Sequence, residues 1–167
     1  VTPLLNMVHN GSNVTLMVLD NYPTAMTGHQ DHPGVEHTLE GKGTRVDIEK
    51  LVRAMGVEQI RVADAFDVND VNGAIKEALA QEGLSFIIVK GPCFFVGNNK
   101  KPAFKVDLSL CNGCGMCFKV GCPPISRSNE IHEKTKLRKS QIDPVLCVGC
   151  GICSQVCPQK AIKRIDA

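Results

Sequence analysis

Eight of the nine cysteines in this chain lie between residues 111 and 157, in two runs of nearly the same spacing. The first reads Cys111-x-x-Cys114-x-x-Cys117, then Cys122-Pro123. The second reads Cys147-x-x-Cys150-x-x-Cys153, then Cys157-Pro158, and the first has one extra residue before its last cysteine. These spacings are those of metal ligands, and an odd total of nine argues against a disulfide frame. A backbone that wraps a ligand this closely must turn tightly, and Gly113, Gly115, Gly149 and Gly151 supply the turns.

The second run follows, letter for letter, the signature of bacterial two-cluster iron–sulfur proteins. A cubane needs four thiolates on its iron corners. Three come from one run, and in this signature the fourth comes from the other. That assigns Cys111, Cys114, Cys117 and Cys157 to one 4Fe-4S cluster, and Cys147, Cys150, Cys153 and Cys122 to a second. The glycines bring backbone N–H groups close to the sulfurs, while Pro123 and Pro158 restrict φ and remove a donor. Zinc also uses Cys-x-x-Cys pairs, but three cysteines plus a Cys-Pro suit it poorly. The two runs form an internal repeat: Val106-Asp107 and Leu110-Cys111 recur as Ile142-Asp143 and Leu146-Cys147. The repeat resembles the bacterial dicluster ferredoxins and implies a small α+β ferredoxin-like domain over 103–167, after a linker at 98–102.

Residues 1–97 follow another pattern. Thr2-Pro3 reads as a helix cap and first turn, with Leu4, Leu5 and Val8 on its apolar face and Asn10-Gly11 as its stop. Val14 to Leu19 is a nearly unbroken apolar run, as expected of a parallel strand buried on both faces. It ends at Asp20-Asn21-Tyr22-Pro23, at the strand end where doubly wound sheets bind ligands. From Thr24 to Lys42 no periodicity holds, and long loops in compact domains are usually functional. Asp47 caps a helix through Leu51, Val52 and Met55 that closes at Gly56. Gln59 to Ala63 reads as a strand, Val68 to Glu82 as a helix with Val71, Ile75, Ala78 and Leu79 inward, and Leu84 to Lys90 as a second buried strand. The order predicts an α/β layer with a parallel sheet. Three strands make a thin sheet, and a chain that opens at Val1 reads as a processed or excised piece.

Leu19-Asp20-Asn21, then Thr24-Ala25-Met26-Thr27-Gly28-His29-Gln30 and His32-Pro33-Gly34, resemble the thiamine-diphosphate domain of 2-oxoacid:ferredoxin oxidoreductases. Within that family the order of both motifs is most like the alpha subunits of the indolepyruvate type, and the resemblance spans essentially the whole chain. It implies that Asn21 and the Pro23 carbonyl hold Mg²⁺ and that Thr24, Ala25, Met26, Thr27 and Gly28 line the diphosphate of thiamine diphosphate. Few protein ligands beside diphosphate oxygens suit Mg²⁺. The family's Gly-Asp-Gly element does not precede Asn21 here. The implied activity is oxidative decarboxylation of a 2-oxoacid, an arylpyruvate such as indolepyruvate, to an acyl-coenzyme A, with electrons passed through two 4Fe-4S clusters to an external ferredoxin. The implied partners are the remaining alpha-subunit segment and a beta subunit. The alternatives are an oxidoreductase for pyruvate or another 2-oxoacid, and an electron-transfer subunit without its own catalysis.

The other features read as structural. His29, His32 and His37, with Asp31 and Glu36, have the irregular spacing of an ordinary loop. Cys93 reads as a small buried hydrophobe. Arg127, Lys134, Lys136, Arg138 and Lys139 read as a solvated hairpin, with a steering surface for an acidic ferredoxin as the sharper alternative. The formal charge is +2, and two thiolate-bound cubanes lower it by about four units. With 4% aromatic residues and no Trp, nucleic-acid binding is not expected. No apolar run approaches the ~18 residues of a membrane span and no secretory leader is present, so the expected location is the cytoplasm.

Overall fold

The computed structural model describes residues 1–22, 30–94 and 101–165. Pro23, Thr24, Ala25, Met26, Thr27, Gly28 and His29 lie outside the described residues, as does most of the 98–102 linker. The chain forms two compact units, Val1–Asn98 and Asn99–Ala167.

The first unit is α/β. Strands β1 (Val14–Asp20), β4 (Gln59–Asp64) and β5 (Leu84–Lys90) form a parallel sheet in the order β1-β5-β4. Side chains alternate across it. Leu16, Val18, Ile60, Val62, Phe86 and Ile88 meet Leu4 and Val8 of α1 (Thr2–His9) and Val52 and Met55 near α2 (Ile48–Ala54). On the other face Ala63, Ile87 and Val89 meet Val71, Ala74, Ile75 and Ala78 of α3 (Val68–Ala80).

Several sequence expectations change in detail. The cap of α1 is Val1 and makes no side-chain cap bond, because Thr2 is already helical. Leu5, expected inward, is exposed. Strand β1 is not buried on both faces. Leu16 and Val18 pack, whereas Met17 and Leu19 are exposed, because α3 lies over β4 and β5. Leu79, read as inward, is 72% exposed, and Ala74 at 0% takes the place against the sheet. Small residues there let α3 approach the strands closely. Asp47 caps α2 as expected, accepting from the Lys50 N–H, which lowers its pKa; Asp67 caps α3 the same way. A two-residue ladder, β2 (His37–Thr38) with β3 (Gly41–Lys42), sits in the loop where no periodicity was visible.

The second unit is two antiparallel ribbons carrying the cysteine runs. Strand β6 (Phe104–Val106) leads into the first run and pairs with β9 (Ile162–Arg164), which leaves the second. Strand β7 (Ile125–Ile131) leaves the first run and pairs with β8 (Arg138–Ile142), which leads into the second. The core holds Phe104, Cys117, Ile125, Cys147, Cys153 and Ile162, with Phe118 and Ile142 against it. Lys101 and Pro102, placed by sequence in a linker, belong to this unit.

Candidate metal centres and cofactor site

The ribbon pairing brings the end of each run back beside the start of the other. Because β9 lies beside β6, the chain after Cys157 returns to the start of the first run, and the Asp107 N–H donates to the Ala161 carbonyl at 2.7 Å. Its pseudo-equivalent is the Asp143 N–H donating to the Pro124 carbonyl at 2.9 Å, just after Cys122. Each run is entered by the same turn. The Cys111 N–H donates to the Asp107 carbonyl and the Cys147 N–H to the Asp143 carbonyl, both at 3.1 Å. The third cysteine of each run sits on a short helix entered through a left-handed glycine: Gly115 (φ 77°) before Met116–Val120, and Gly151 (φ 84°) before α4 (Ile152–Gln155).

Cys111, Cys114, Cys117 and Cys157 line one pocket, together with Val106, Ser140, Ala161 and Ile162. These are the four thiols assigned by sequence to one cluster. The other four are linked electrostatically. Burial first, then the thiols of Cys150, Cys147 and Cys122, push Cys153 up to about 12. Burial, then Cys150 and Cys147, also raise Cys122. Cys153 and Cys122, whose ionisation is penalised by burial and by neighbouring thiols, need a cationic centre to become thiolates together, and an iron–sulfur core supplies one. Among the described residues no three His, Cys, Asp or Glu side chains converge closely enough for a single ion. A cubane, whose thiolates bind four separate irons, asks for wider separation.

Backbone N–H groups also reach the sulfurs: Phe104 N–H to Cys147 Sγ and Ala161 N–H to Cys157 Sγ, each 3.4 Å. Ser140, 2% exposed, places its Oγ 3.2 Å from Cys117 Sγ. No local motif marked Ser140. Its only sequence signal is its place in the repeat, 36 residues after Phe104 as Ile142 is after Val106. Cys114 is the one exposed cysteine among those described.

Arg127 is not a free surface charge. It donates to the carbonyls of Gly113 (3.1 Å) and Arg138 (2.8 Å) and stacks over Phe118. Arg138 donates to the Ser128 carbonyl and Lys139 pairs with Glu130. Of the five basic residues read as a solvated hairpin, with a steering surface as the alternative, Arg127, Arg138 and Lys139 are engaged within the unit.

In the first unit, Asn21 follows the carboxyl end of β1, and its side chain is exposed. The backbone around it is pinned. The Gly91 N–H donates to the Asp20 carbonyl (3.0 Å), the Cys93 N–H to the Asn21 carbonyl (3.1 Å) and the Tyr22 N–H to Asp20 Oδ1 (3.2 Å). Tyr22 has φ 63°, and its carbonyl lies 2.8 Å from His32 Nε2. His32 Nδ1 accepts from the Gly34 N–H, so Nε2 carries the proton and donates. Arg45 lies 3.8 Å from the buried Asp20 carboxylate and over the Tyr22 ring. An exposed amide on a fixed turn at a strand end fits a magnesium ligand, and the preceding residue, Asp20, lines a pocket with Arg45, Asp47, Lys50 and Lys90. Sequence reading missed Asp20, Arg45 and His32 as supports of this turn. Cys93 is only partly buried, contrary to expectation, and His37 is exposed. No described helix is long and apolar enough to cross a membrane.

Comparison with known proteins returns two family matches: "Thiamine pyrophosphate enzyme, C-terminal TPP binding domain" at residues 1–89 and "4Fe-4S binding domain" at residues 140–163. Among curated proteins, the chain is similar to "Indolepyruvate oxidoreductase subunit IorA" of Pyrococcus horikoshii, 36% identical over 97% of this chain and 25% of that protein. The subunit of the same name from Thermococcus kodakarensis is 38% identical over 96% of this chain and 25% of its own length. That from Archaeoglobus fulgidus is 36% identical over 98% and 26%. The chain thus spans about a quarter of the length of these relatives. No solved structure matches it significantly.

Proposed function

The chain belongs to the thiamine pyrophosphate enzyme family, whose C-terminal TPP binding domain occupies residues 1–89, and from that premise we propose that it is the cofactor-domain end and electron relay of a 2-oxoacid:ferredoxin oxidoreductase. The relatives' shared name, indolepyruvate oxidoreductase, makes an arylpyruvate the proposed substrate and an acyl-coenzyme A the proposed product. The proposed assembly adds the rest of the alpha subunit, a beta subunit and an external ferredoxin.

One observation carries the reading: Cys157, from the far end of the second run, lines the same cavity as Cys111, Cys114 and Cys117. That arrangement supports two four-thiolate sites, with Cys147, Cys150, Cys153 and Cys122 as the second. Each thiolate set would hold a 4Fe-4S core, and Phe104, Ile125 and Ile162 share the core with Cys117, Cys147 and Cys153, which limits water at those sulfurs.

On the cofactor side, Asn21 is the proposed Mg²⁺ ligand, with the Pro23 carbonyl beside it and Thr24, Ala25, Met26, Thr27 and Gly28 along the diphosphate. Thiamine diphosphate, when bound, supplies the nucleophile and electron sink for decarboxylation. The chain's own residues orient: Asp20, Cys93 and His32 hold the backbone on both sides of Asn21, so its amide needs little ordering when it meets the ion.

Two measurements test this. Anaerobic preparations of the chain are expected to be brown, absorbing near about 400 nm, with roughly eight iron and eight sulfide per chain. Calorimetry on the complete assembly is expected to show Mg²⁺-dependent thiamine diphosphate binding that Asn21→Ala weakens. A chain that takes up no iron sinks the relay. An assembly that holds iron but binds no thiamine diphosphate leaves an electron-transfer subunit only. A panel of 2-oxoacids then sets the substrate.

A further inference from the structure

The repeat makes the two cysteine sites near-copies, so a difference between paired positions bears directly on their redox behaviour. Strand pairing aligns them: Val106 with Ile162 and Phe104 with Arg164 in one ribbon, Ile142 with Ile125 and Ser140 with Arg127 in the other. Each arginine lies over an aromatic ring, Arg127 over Phe118 at 4.5 Å and Arg164 over Phe104 at 5.2 Å. The copies diverge at the position facing the sulfurs. Phe104 is buried against Cys147 and Cys153, offering them a ring and its own backbone N–H. Its counterpart Ser140 is buried against Cys117, with a hydroxyl 3.2 Å from the sulfur.

A ligated Cys117 is a thiolate and can only accept, so the Ser140 O–H must donate. The Phe104 ring has no such proton to give. A hydrogen bond to a ligand sulfur withdraws charge from it and favours the reduced, more negative state of the cluster. Solvent exposure acts the same way, and hydrogen bonding and exposure are two of the levers that set cluster potentials. Each set receives one backbone N–H, Ala161 to Cys157 and Phe104 to Cys147; the Ser140 hydroxyl is the additional donor on the first, where Cys114 is also exposed and shares the pocket with Cys117.

We propose that Ser140 is a potential-tuning residue that makes the cluster held by Cys111, Cys114, Cys117 and Cys157 the higher-potential of the two, and so the one from which electrons leave toward the partner. The inference rests on the ligand sets proposed above. In the transfer it favours, one electron leaves the reduced cluster of Cys122, Cys147, Cys150 and Cys153, and one enters the oxidised cluster of Cys111, Cys114, Cys117 and Cys157. No proton moves and no bond breaks. The exposed rim at Cys114 then faces the one-electron acceptor protein.

The test is an anaerobic redox titration of the iron-loaded chain followed by electron paramagnetic resonance, with Cys114→Ser marking which signal belongs to which site. Two separated one-electron waves are expected, the higher one changed by Cys114→Ser. Ser140→Ala is expected to lower the higher wave alone and narrow the gap. Ser140→Thr, which keeps the hydroxyl, is expected to retain the gap. Should the alanine chain lose iron, Ser140→Thr against Ser140→Val, similar in shape and differing in the hydroxyl, makes the same comparison. Coincident waves, or a higher wave that stays put in Ser140→Ala, overturn the inference. A wild-type chain with iron for fewer than two clusters refutes the ligand sets instead, a distinct outcome read before any titration.

Discussion

Gly149→Ala tests whether the cysteine unit is built by backbone closeness or by the bound metal alone. Gly149 lies between Cys147 and Cys150 with φ 72°. A methyl group on it would sit 2.6 Å from the Pro102 carbonyl oxygen and 2.7 Å from that of Lys101. Both are backbone atoms of the strand approach to β6 and cannot swing aside. Two costs add. A left-handed backbone costs a non-glycine residue about 1–2 kcal/mol, and forcing an extra methyl into a filled space costs about 1–3 kcal/mol more. The total, roughly 2–5 kcal/mol, is a large part of the ~5–15 kcal/mol that holds a domain together. Gly121→Ala is the control: φ is 67°, but nothing lies within 4 Å of the added methyl, so only the first cost applies. The assay is thermal bleaching of cluster absorbance in the anaerobic, iron-loaded chain. At about 4–8 °C per kcal/mol for a small domain, Gly149→Ala should lose roughly 10 °C or more, and Gly121→Ala clearly less. Equal losses would refute the steric argument.

Exchanging single cysteines tests the cross-run pairing. Cys157→Ser should remove the cluster of Cys111, Cys114 and Cys117 while sparing the other, halving the iron, and Cys122→Ser should do the reverse. If both serine variants bleach the same resonance signal, the pairing is wrong. In the metal-free chain, the Cys153 pKa of about 12 lies above its ordinary value of 9.0 because of burial and its neighbouring thiols. A raised folded-state pKa means the stability it reports is fully present below pH 9 and is lost as pH rises toward 12. Denaturant midpoints should therefore fall over that window, and Cys153→Ala should flatten the fall. Asp20→Ala strips partners from the Tyr22 N–H and the half-exposed Arg45; a loss of about 1–3 kcal/mol is expected by thermal unfolding, with weakened Mg²⁺ binding in the complete assembly.

Within each cysteine run, the chemistry is local and therefore legible in the letters. Cysteine spacing, the glycines that allow left-handed turns and the proline that ends the run are separated by two to four residues, so the pattern is readable locally, although the fourth thiol of each proposed set arrives only through ribbon pairing. The strand–helix order of 1–97 was readable for the same reason, from hydrophobic period and from caps such as Asp47. Asn21 was singled out through a motif rather than through periodicity. What the letters could not show depends on which surface meets which. Met17 and Leu19 look as buried as Leu16 and Val18 until α3 is seen to cover β4 and β5. Ala74 rather than Leu79 faces the sheet because the approach of α3 selects the smaller side chain. Ser140 is an unremarkable strand serine until antiparallel pairing sets it 3.2 Å from the Cys117 sulfur, 23 residues away. Local sequence decided what the metal sites are made of; long-range pairing, which no spacing encodes, decided what surrounds them and how the two copies differ.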